Sequence, residues 1–490
     1  ISLNPEWFAF GQLRTDRGKL APTPVRGAAE GFKHDAMNQL DLCGVSGLAP
    51  FYLAMSRGLD LLLALPEADK ERVAVSGLSG GGWQTIMISA LDTRVTLCNP
   101  VAGYSSFRTW VSVPGMVGDS EQAPNDLGTF ADYTHLTAML AGRSVLLTYN
   151  AKDQCCFAAA QTLPPLLESA APIFDLYAQA SRLRTHVNYE PGTHNYERDN
   201  REAFYRVLGD WFFPDDKAWQ AMEIPSDEEI KTNDALNVDM PANNVDFNQL
   251  ARGAMQGLPL DPELVARDPS GARKKLREIV RSHPGEIAAT QIGRERGSGG
   301  ETRFWQLRVG GSWTVPVVEF TRGTPGATTI IISDTGRRNV AEEVERGLAA
   351  GRRVLAVDVY GFGEARIPRS PGRKDFAIMM PAVGERALGV QSDQLAAVAR
   401  WAGQEFGGRP AVLVAVGPRS SLVALVTAAL ERSASGRLDL REPMSSLKEL
   451  IEKNAGANER PEQFCFGLLE TFDVPELRKL ADAWRKPVAR

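Results

Sequence analysis

Short apolar runs alternate with segments of helical periodicity along the first 215 residues. Apolar residues recur at helical spacing from 50 to 65, and the run Val73-Ala74-Val75 follows. Chains with this alternation form a mostly parallel sheet covered by helices on both faces, so the pattern predicts an α/β fold. The predicted strands are residues 2–10, 73–75, 95–101, 145–149 and 185–189, and the predicted helices are residues 50–65, 83–92, 157–183 and 198–213.

The alternation returns in the second half of the chain. The predicted strands there are residues 304–309, 315–320, 328–332, 354–357 and 412–416, with helices at 272–280, 340–350 and 394–401. We therefore predict three parts: a catalytic domain at 1–215, a connector with some helix at 216–300, and a second, incomplete domain at 301–490. The second domain has opening strands without counterparts in the first, so we expect the first sheet to lack its opening strands.

A glycine-rich turn links the strand at 73–75 to the helix that follows it. The residues Gly77-Leu78-Ser79-Gly80-Gly81 match the pattern G-x-S-x-G, in which glycines let the chain bend sharply and raise a serine hydroxyl above the sheet. Ser79 is the candidate nucleophile, and the backbone N–H of Gly80 is a candidate donor to an oxyanion. A serine here also fits a simple helix N-cap.

A carboxylate and an imidazole follow this serine in a suitable order. Asp153 comes shortly after the third strand, and His194 lies in the loop after the fourth, so the chain order is serine, acid, histidine, as in α/β-hydrolases. In such a triad the imidazole deprotonates the hydroxyl and the carboxylate orients the ring. The alternative acids are Asp126 and Asp132, and the alternative bases are His34, His135, His186 and His283.

The second domain repeats part of the first without its reactive residues. Residues 359–366 share Phe-Gly and a final Arg with residues 7–14 at the same offsets. Alignment of Gly417 with Gly77 brings Arg419 to the position of Ser79, with Ser420 one residue away. Because no histidine follows His283, the second domain is predicted to be a degenerate, inactive copy.

Composition excludes several classes of partner. The chain has 55 basic and 60 acidic residues and a net charge of −5, which argues against nucleic acid, and no apolar run is long enough to span a bilayer. The five cysteines form no C-x-x-C pattern, and we predict neither a metal nor a cofactor. Cys155 and Cys156 are adjacent and are interpreted as buried packing residues, with a vicinal disulfide as the alternative. The oligomeric state stays open.

Three stretches resemble a known superfamily. They are GLSGGGWQT around Ser79, LLTYNAKDQCCF around Asp153 and PGTHNYERDNREAFY around His194. They resemble α/β-hydrolases, specifically bacterial proteins related to acetyl xylan esterases and dienelactone hydrolases. The resemblance implies an α/β-hydrolase-type sheet and a serine carboxylesterase that acts without a cofactor. It also implies an acylated polysaccharide or small ester as substrate and a periplasmic or secreted location. The second donor to the oxyanion is expected from a loop that this chain does not contain.

Residues 110–134 are the expected lid or pocket wall. Trp83, Phe107, Trp110 and Tyr133 are candidates either for stacking on a sugar or for packing in the core. Two other functions remain open from the sequence. One is a peptidase of the prolyl-oligopeptidase type, which has the same order of catalytic residues, and the other is a non-catalytic scaffold or binding subunit.

Overall fold

The chain folds into two compact units that exchange short segments. A computed structural model describes residues 1–8, 13, 15–16, 19–20, 36–113, 120–297, 299–366, 376–407, 411–434, 436–457 and 460–485. Unit 1 comprises Ile1–His34, Gly47–Asp246 and Ser370–Val383, and unit 2 comprises Asp35–Ser46, Phe247–Arg369 and Gly384–Arg490. The predicted division into 1–215, 216–300 and 301–490 stays a prediction. It does not include the assignment of Asp35–Ser46 to unit 2 or of Ser370–Val383 to unit 1.

The helices and strands are numbered in chain order. The strands are β1 Thr15–Asp16, β2 Lys19–Leu20, β3 Ala74–Leu78, β4 Leu97–Val101, β5 Ser144–Asn150, β6 Leu183–Asn188, β7 Ile287–Gly297, β8 Gly300–Val309, β9 Trp313–Thr321, β10 Thr328–Ser333, β11 Arg353–Val357, β12 Val412–Val416 and β13 Arg437–Arg441. The helices are α1 36–42, α2 Ala49–Leu63, α3 Gly80–Leu91, α4 Phe107–Ser112, α5 Tyr133–Ala138, α6 Ala159–Leu176, α7 Arg198–Phe212, α8 Asn233–Leu236, α9 Phe247–Gln256, α10 Leu264–Arg267, α11 Pro269–Val280, α12 Ala341–Ala349, α13 Phe376–Ala382, α14 Ala387–Phe406, α15 Pro418–Leu430, α16 Lys448–Glu452, α17 Leu468–Thr471 and α18 Val474–Asp482.

Unit 1 is built on a parallel four-stranded sheet flanked by helices. Its strand order is β3-β4-β5-β6, and β4 and β5 are buried along their whole length. Leu97 and Leu146 from the sheet pack against Ala203 and Val207 of α7, which explains the apolar stripe of that helix. The fold class predicted from the sequence, α/β with a mostly parallel sheet, is confirmed.

Strand β3 lies at the edge of this sheet. Within the described part of the chain it pairs with β4 only, and a groove of about 340 Å³ runs beside it. The groove is lined by residues 3–5, one side of α2, the β3 backbone and the first turns of α3. Among the described strands of this sheet, the one that carries the glycine-rich turn is therefore an edge strand.

The strand predicted at residues 2–10 is wrong for its described part. Residues 1–7 have no regular secondary structure, and residues 9 and 10 lie outside the described residues. The apolar pattern has another cause, because Trp7 and Phe8 pack edge-on against Phe51 of α2, with ring centroids 5.5 and 6.2 Å apart. Aromatic residues can anchor an irregular segment as well as a strand.

Unit 2 has a separate mixed sheet. Its strand order is β13-β12-β10-β11-β9-β8-β7, in which β10 to β13 pair in parallel and β7, β8 and β9 pair in antiparallel fashion. Strand β7 is not among the predicted strands, and its residues fall in the predicted connector. Most residues of β7 are exposed, so this edge strand has no buried face to give an alternating apolar pattern.

Two glycines allow α3 to approach the sheet closely. A Cβ atom on Gly82 would lie 2.7 Å from the carbonyl oxygen of Val101 and 2.9 Å from the Cα of Gly103. Backbone atoms cannot move aside cheaply, so this contact requires glycine. A Cβ atom on Gly81, one residue earlier in the same helix, would meet nothing within 4 Å.

We expect Gly82→Ala to lower the free energy of unfolding by about 1–3 kcal/mol because the added methyl group overpacks the contact. Gly81→Ala is the matched control and should leave stability unchanged or slightly higher, because alanine favours helix more than glycine does. Urea denaturation of both variants and the wild type measures the difference. Equal midpoints for the two variants would contradict the close approach of α3 to Gly103.

Candidate active site

Ser79 is in a strained conformation between β3 and α3. Its backbone angles are φ 57° and ψ −119°, which lie outside the regions that non-glycine residues usually adopt. Its N–H donates to the carbonyl of Val101 (2.9 Å), and its own carbonyl accepts from the N–H of Trp83 (2.9 Å). Such strain costs on the order of 1–3 kcal/mol and is concentrated at functional sites.

Two of the glycines around Ser79, Gly77 and Gly80, lie in close contacts. A Cβ atom on Gly77 would lie 2.6 Å from the carbonyl carbon of Gly81, and one on Gly80 would lie 1.7 Å from Cζ3 of Trp7. Gly80 is the first residue of α3, where backbone N–H groups have no partner within the helix. The turn therefore combines a partly exposed serine with the positive end of a twelve-residue helix.

Asp153 and His194 form a short hydrogen bond. Asp153 follows β5 and His194 follows β6, and Oδ2 of the carboxylate lies 2.7 Å from Nδ1 of the ring. The Asp153 side chain is fully buried, whereas 15% of the His194 side chain is exposed. The other carboxylate oxygen accepts from the backbone N–H groups of Cys155 (2.8 Å) and Cys156 (3.3 Å). The carboxylate is thus held on both sides.

The surroundings shift the pKa values of this pair in opposite directions. Burial by itself raises the pKa of Asp153, but the hydrogen bond and charge of His194, with the two N–H groups, outweigh it and hold the pKa below its ordinary value. Burial by itself lowers the pKa of His194, but the hydrogen bond and charge of Asp153 raise it above its ordinary value. The pair therefore favours an ionised carboxylate beside a basic ring.

The two cysteines after Asp153 are not buried packing residues, and that interpretation is wrong. Cys155 is exposed, Cys156 is half-buried, and both are reduced. Their backbone N–H groups donate to the Asp153 carboxylate.

Four buried asparagines, none of which is among the predicted site residues, hold the His194 loop. The Asn200 side chain donates to Oδ1 of Asn150 (3.0 Å) and to the carbonyl of Asn195 (3.0 Å). The Asn195 side chain donates to the carbonyl of Thr193 (2.7 Å), and Oδ1 of Asn188 accepts from the N–H of Gly192 (2.8 Å). The sequence signal for these residues is limited to the frequency of asparagine near Asp153 and His194. Hydrogen bonds such as the one between Asn200 and Asn150 join residues far apart in the chain, so a local sequence pattern does not predict them.

A second, partly buried network connects this loop to the sheet. The hydroxyl of Tyr196 lies 2.5 Å from Oγ of Ser76 in β3, and Asn99 in β4 donates to Oγ of Ser76 (2.9 Å) and to the Tyr196 hydroxyl (3.2 Å). Thr148 in β5 donates to Oδ1 of Asn99 (2.8 Å). The loop that carries His194 is therefore tied to three strands, including the one that precedes Ser79.

The carboxyl ends of parallel strands lie at one edge of a sheet. Ser79 and Gly80 follow β3, Asp153 follows β5 and His194 follows β6, so all four residues belong to the same edge. The structure brings Asp153 and His194 into direct contact. The catalytic roles of Ser79, Gly80, Asp153 and His194 remain predictions.

The alternative acids and bases have other partners. Asp132 caps α5 and accepts from the N–H of Phe107 (3.1 Å), while Nδ1 of His135 accepts from the N–H of Asp132 (2.9 Å). His186 pairs with the half-exposed Asp199 (2.9 Å). Asp126 lies in a turn, where its N–H donates to the carbonyl of Pro381 (2.8 Å). His283 belongs to unit 2, and His34 lies outside the described residues.

The aromatic residues proposed for sugar stacking pack in the core instead. Trp83 and Tyr133 are fully buried, and Trp110 and Phe107 are nearly so. Nε1 of Trp83 donates to the Tyr133 hydroxyl (2.9 Å), and the Phe107 and Trp110 rings lie 4.7 Å apart. Their faces are therefore covered by other rings, and part of the expected lid, residues 114–119, lies outside the described residues.

Gly417, rather than Arg419, takes the place of Ser79 in unit 2. Gly417 has φ 104°, its N–H donates to the carbonyl of Arg441 (3.0 Å), and its carbonyl accepts from the N–H of Ser421 (3.0 Å). This repeats the hydrogen bonds of Ser79 at the end of β12, so the alignment on Gly77 is two residues out of step. Descent of unit 2 from an α/β-hydrolase remains a prediction.

A carboxylate occupies the helix end beside this turn. Oδ1 of Asp334 accepts from the N–H of Ser420 (2.7 Å) and from its hydroxyl (2.7 Å), and Oδ2 accepts from the N–H of Arg419 (3.2 Å). A Cβ atom on Gly417 would lie 2.4 Å from the Asp334 carboxyl carbon. The side chain of Arg419 is paired with Glu462. The donors at the start of α15 are therefore already used.

The described residues lack two other kinds of feature. They contain no group of three or more His, Cys, Asp or Glu side chains arranged to hold a metal ion. None of their helices combines the length and the apolar character needed to cross a bilayer.

Comparison with known proteins gives partial structural similarity to esterases. No family model and no curated protein matches the sequence. A candidate acetyl xylan esterase from Bacteroides fragilis is similar with a TM-score of 0.31 and 16% identity, over 38% of this chain and 57% of that one. A glucuronoyl esterase from Caldicellulosiruptor kristjansonii has a TM-score of 0.28 and 19% identity, over 37% and 58%. Acetyl xylan esterase 1 from Thermoanaerobacterium sp. has a TM-score of 0.28 and 15% identity, over 44% and 72%. This chain thus spans less than two thirds of the first two proteins.

The raised pKa of His194 gives a measurable expectation. We expect the ring of His194 to titrate above about 6.5 in the otherwise intact protein. In Asp153→Asn the pKa should fall below that of the wild type, because burial remains while the attracting charge is removed. Titration of the ring protons by NMR measures both values. An unchanged pKa in Asp153→Asn would contradict the coupling of the two groups.

The same shifts predict the pH range in which the pair stabilises the fold. The contribution of His194 is fully present below the ordinary histidine pKa of about 6.5 and is lost as the pH rises through the raised value. The contribution of Asp153 is present above the ordinary aspartate pKa of about 4 and is lost as the pH falls through the lowered value. The free energy of unfolding lost in His194→Gln should therefore be largest between roughly pH 4 and 6.5.

Proposed function

We propose that the protein is a serine-dependent carboxylic-ester hydrolase, with Ser79 as nucleophile, His194 as base and Asp153 as the acid that orients the base. The observation that carries the proposal is the 2.7 Å contact between Asp153 and His194 at the edge of the sheet where Ser79 is held in a strained turn. A buried carboxylate on Nδ1 fixes the tautomer that leaves Nε2 free to accept a proton.

In the proposed reaction, Oγ of Ser79 attacks the ester carbonyl carbon while Nε2 of His194 takes the hydroxyl proton. The negative charge on the carbonyl oxygen is stabilised by the N–H of Gly80 and by the N-terminus of α3. When the intermediate collapses, His194 returns the proton to the leaving alcohol oxygen and the acyl group stays on Ser79. Water then attacks the acyl-enzyme, again with His194 as base, and releases the carboxylic acid and free Ser79.

We propose acetyl esters on a polysaccharide as the substrate class. The sequence resemblance of the stretches around Ser79, Asp153 and His194 to acetyl xylan esterases supports this choice. The buried aromatic rings supply no platform for sugar stacking, so specificity for the sugar has to come from other residues. Release of acetate from acetylated xylan, compared with release from a small acetyl ester, tests the substrate class.

A fluorophosphonate probe tests the chemical proposal directly, because it reacts with an activated serine and remains bound. We expect the wild type to be labelled on Ser79, as mapped by mass spectrometry, and Ser79→Ala to be unlabelled. Ser226→Ala is the matched control, since Ser226 is exposed and its hydroxyl caps nothing. It should be labelled like the wild type.

Absence of labelling in the folded wild type would favour a scaffold or binding subunit. Labelling with cleavage of proline-containing peptides but not of esters would favour the peptidase.

A further inference from the structure

The turn after Asp153 carries two thiols next to each other. Cys155 is exposed, Cys156 is half-buried, and their sulfur atoms are 3.4 Å apart. Thiols that are accessible and adjacent can be oxidised together, because a second thiol is already in place to resolve the first product.

The backbone of the same two residues holds the acid of the site. Both N–H groups donate to Oδ1 of Asp153, at 2.8 and 3.3 Å, while Oδ2 contacts His194. A movement of the peptide group between Cys155 and Cys156 therefore alters one of the hydrogen bonds that hold the Asp153 carboxylate.

We propose that Cys155 and Cys156 form a thiol-modification site, at which a disulfide oxidant converts the pair to a vicinal disulfide and weakens the hold of Asp153 on His194. The effect on activity rests on the proposed esterase function. The modification itself and its effect on the His194 ring do not.

The reaction is an ordinary thiol–disulfide exchange. The thiolate of the exposed Cys155 attacks an oxidant R–S–S–R, forms a mixed disulfide and releases one thiolate R–S⁻. The thiolate of Cys156 then attacks the Cys155 sulfur, which forms the protein disulfide and releases the second R–S⁻. Two electrons pass to the oxidant, and the two protons lost by the cysteines end on the two released thiols.

Ring closure has to move the backbone. The sulfur atoms must approach from 3.4 Å to about 2.05 Å. The Cα atoms of neighbouring residues are about 3.8 Å apart across a trans peptide, whereas disulfides usually need at least about 4.4 Å. The strain falls on the peptide whose nitrogen belongs to Cys156, so its hydrogen bond to Asp153 is lost. Strained disulfides are also readily reduced, which makes the change reversible.

The remaining cysteines are protected from the same chemistry. Cys43, Cys98 and Cys465 are buried. Burial raises the pKa of Cys43 to about 11 and that of Cys98 to about 12, so few of their thiols are in the reactive thiolate form. Oxidation under mild conditions should therefore be confined to the pair beside Asp153.

The test treats the reduced full chain with oxidised glutathione. We expect the intact mass to fall by the two hydrogens lost, peptide mapping to link Cys155 to Cys156, and dithiothreitol to reverse both. The pKa of His194, measured by NMR, should fall on oxidation, and kcat for ester hydrolysis should fall about tenfold or more. The double variant Cys155→Ser/Cys156→Ser has no thiol in this turn, so it should keep its own untreated activity when the oxidant is added. In each single variant the ring cannot close, so the reaction should stop at a glutathione adduct on the remaining cysteine.

Each other outcome overturns the proposal in a recognisable way. A stable glutathione adduct in the wild type would show that the ring does not form. A ring that leaves the His194 pKa unchanged would show that the Asp153 hydrogen bonds do not depend on this peptide. A loss of activity that also occurs in the double serine variant would place the effect at another thiol. If the reduced wild type shows no esterase activity, the proposed function fails, while the mass and NMR measurements still test the modification.

Discussion

Ser79→Ala is expected to lower kcat for ester hydrolysis about a millionfold, the scale that accompanies removal of the nucleophile from a serine hydrolase. Without the hydroxyl no acyl-enzyme forms, and the rate that remains comes from the backbone donors and substrate binding alone. Steady-state kinetics on a small acetyl ester measure the loss. Activity within a hundredfold of the wild type would show that Ser79 is not the nucleophile.

The strained backbone of Ser79 adds a second readout to this experiment. Ser79→Gly should be equally inactive but more stable than Ser79→Ala by about 1 kcal/mol, because glycine adopts a φ of 57° without steric cost. Urea denaturation compares the free energies of unfolding of the two inactive variants. The difference measures the backbone strain separately from the loss of activity. Equal stabilities would mean that the turn relaxes when the serine is removed.

Asp153→Asn is expected to lower kcat about ten-thousandfold while the fold is kept. An asparagine can still accept the N–H groups of Cys155 and Cys156, but it lacks the charge that stabilises the protonated ring and holds the correct tautomer. Kinetics together with circular dichroism separate lost activity from lost structure.

Asp210→Asn is the control for this variant. Asp210 is half-exposed and pairs with Arg184, so its replacement should change activity little. If Asp153→Asn also has nearly wild-type activity, the acid is elsewhere, and Asp126 and Asp132 become the candidates to test. That result would leave the assignment of Ser79 untouched.

The elements with a strong periodic signal are those that the sequence predicts well. Helix α7 is predicted at residues 198–213 and observed at Arg198–Phe212, because its apolar stripe packs on β4 and β5. Strand β5 is predicted at 145–149 and observed at Ser144–Asn150, since it is buried along its whole length. The contact between Asp153 and His194 is predictable because both follow strands of one parallel sheet.

Features that depend on distant partners are not predictable in this way. The sequence carries no signal that assigns Asp35–Ser46 to unit 2 or Ser370–Val383 to unit 1, because unit membership depends on contacts with distant parts of the chain. The burial of Trp83 and Trp110 depends on rings brought together by the fold. The exposure of Cys155 depends on a turn whose N–H groups donate to a carboxylate, which composition does not reveal.

The carboxylate of Asp334 limits how unit 2 could be re-engineered. A serine introduced at Gly417 would collide with that side chain, and the Asp334 carboxylate at the start of α15 would repel a second negative charge placed there. To introduce catalysis into unit 2, the Asp334 carboxylate therefore has to be removed from the start of α15 before a nucleophile is added. Asp334→Ala is the first substitution to make.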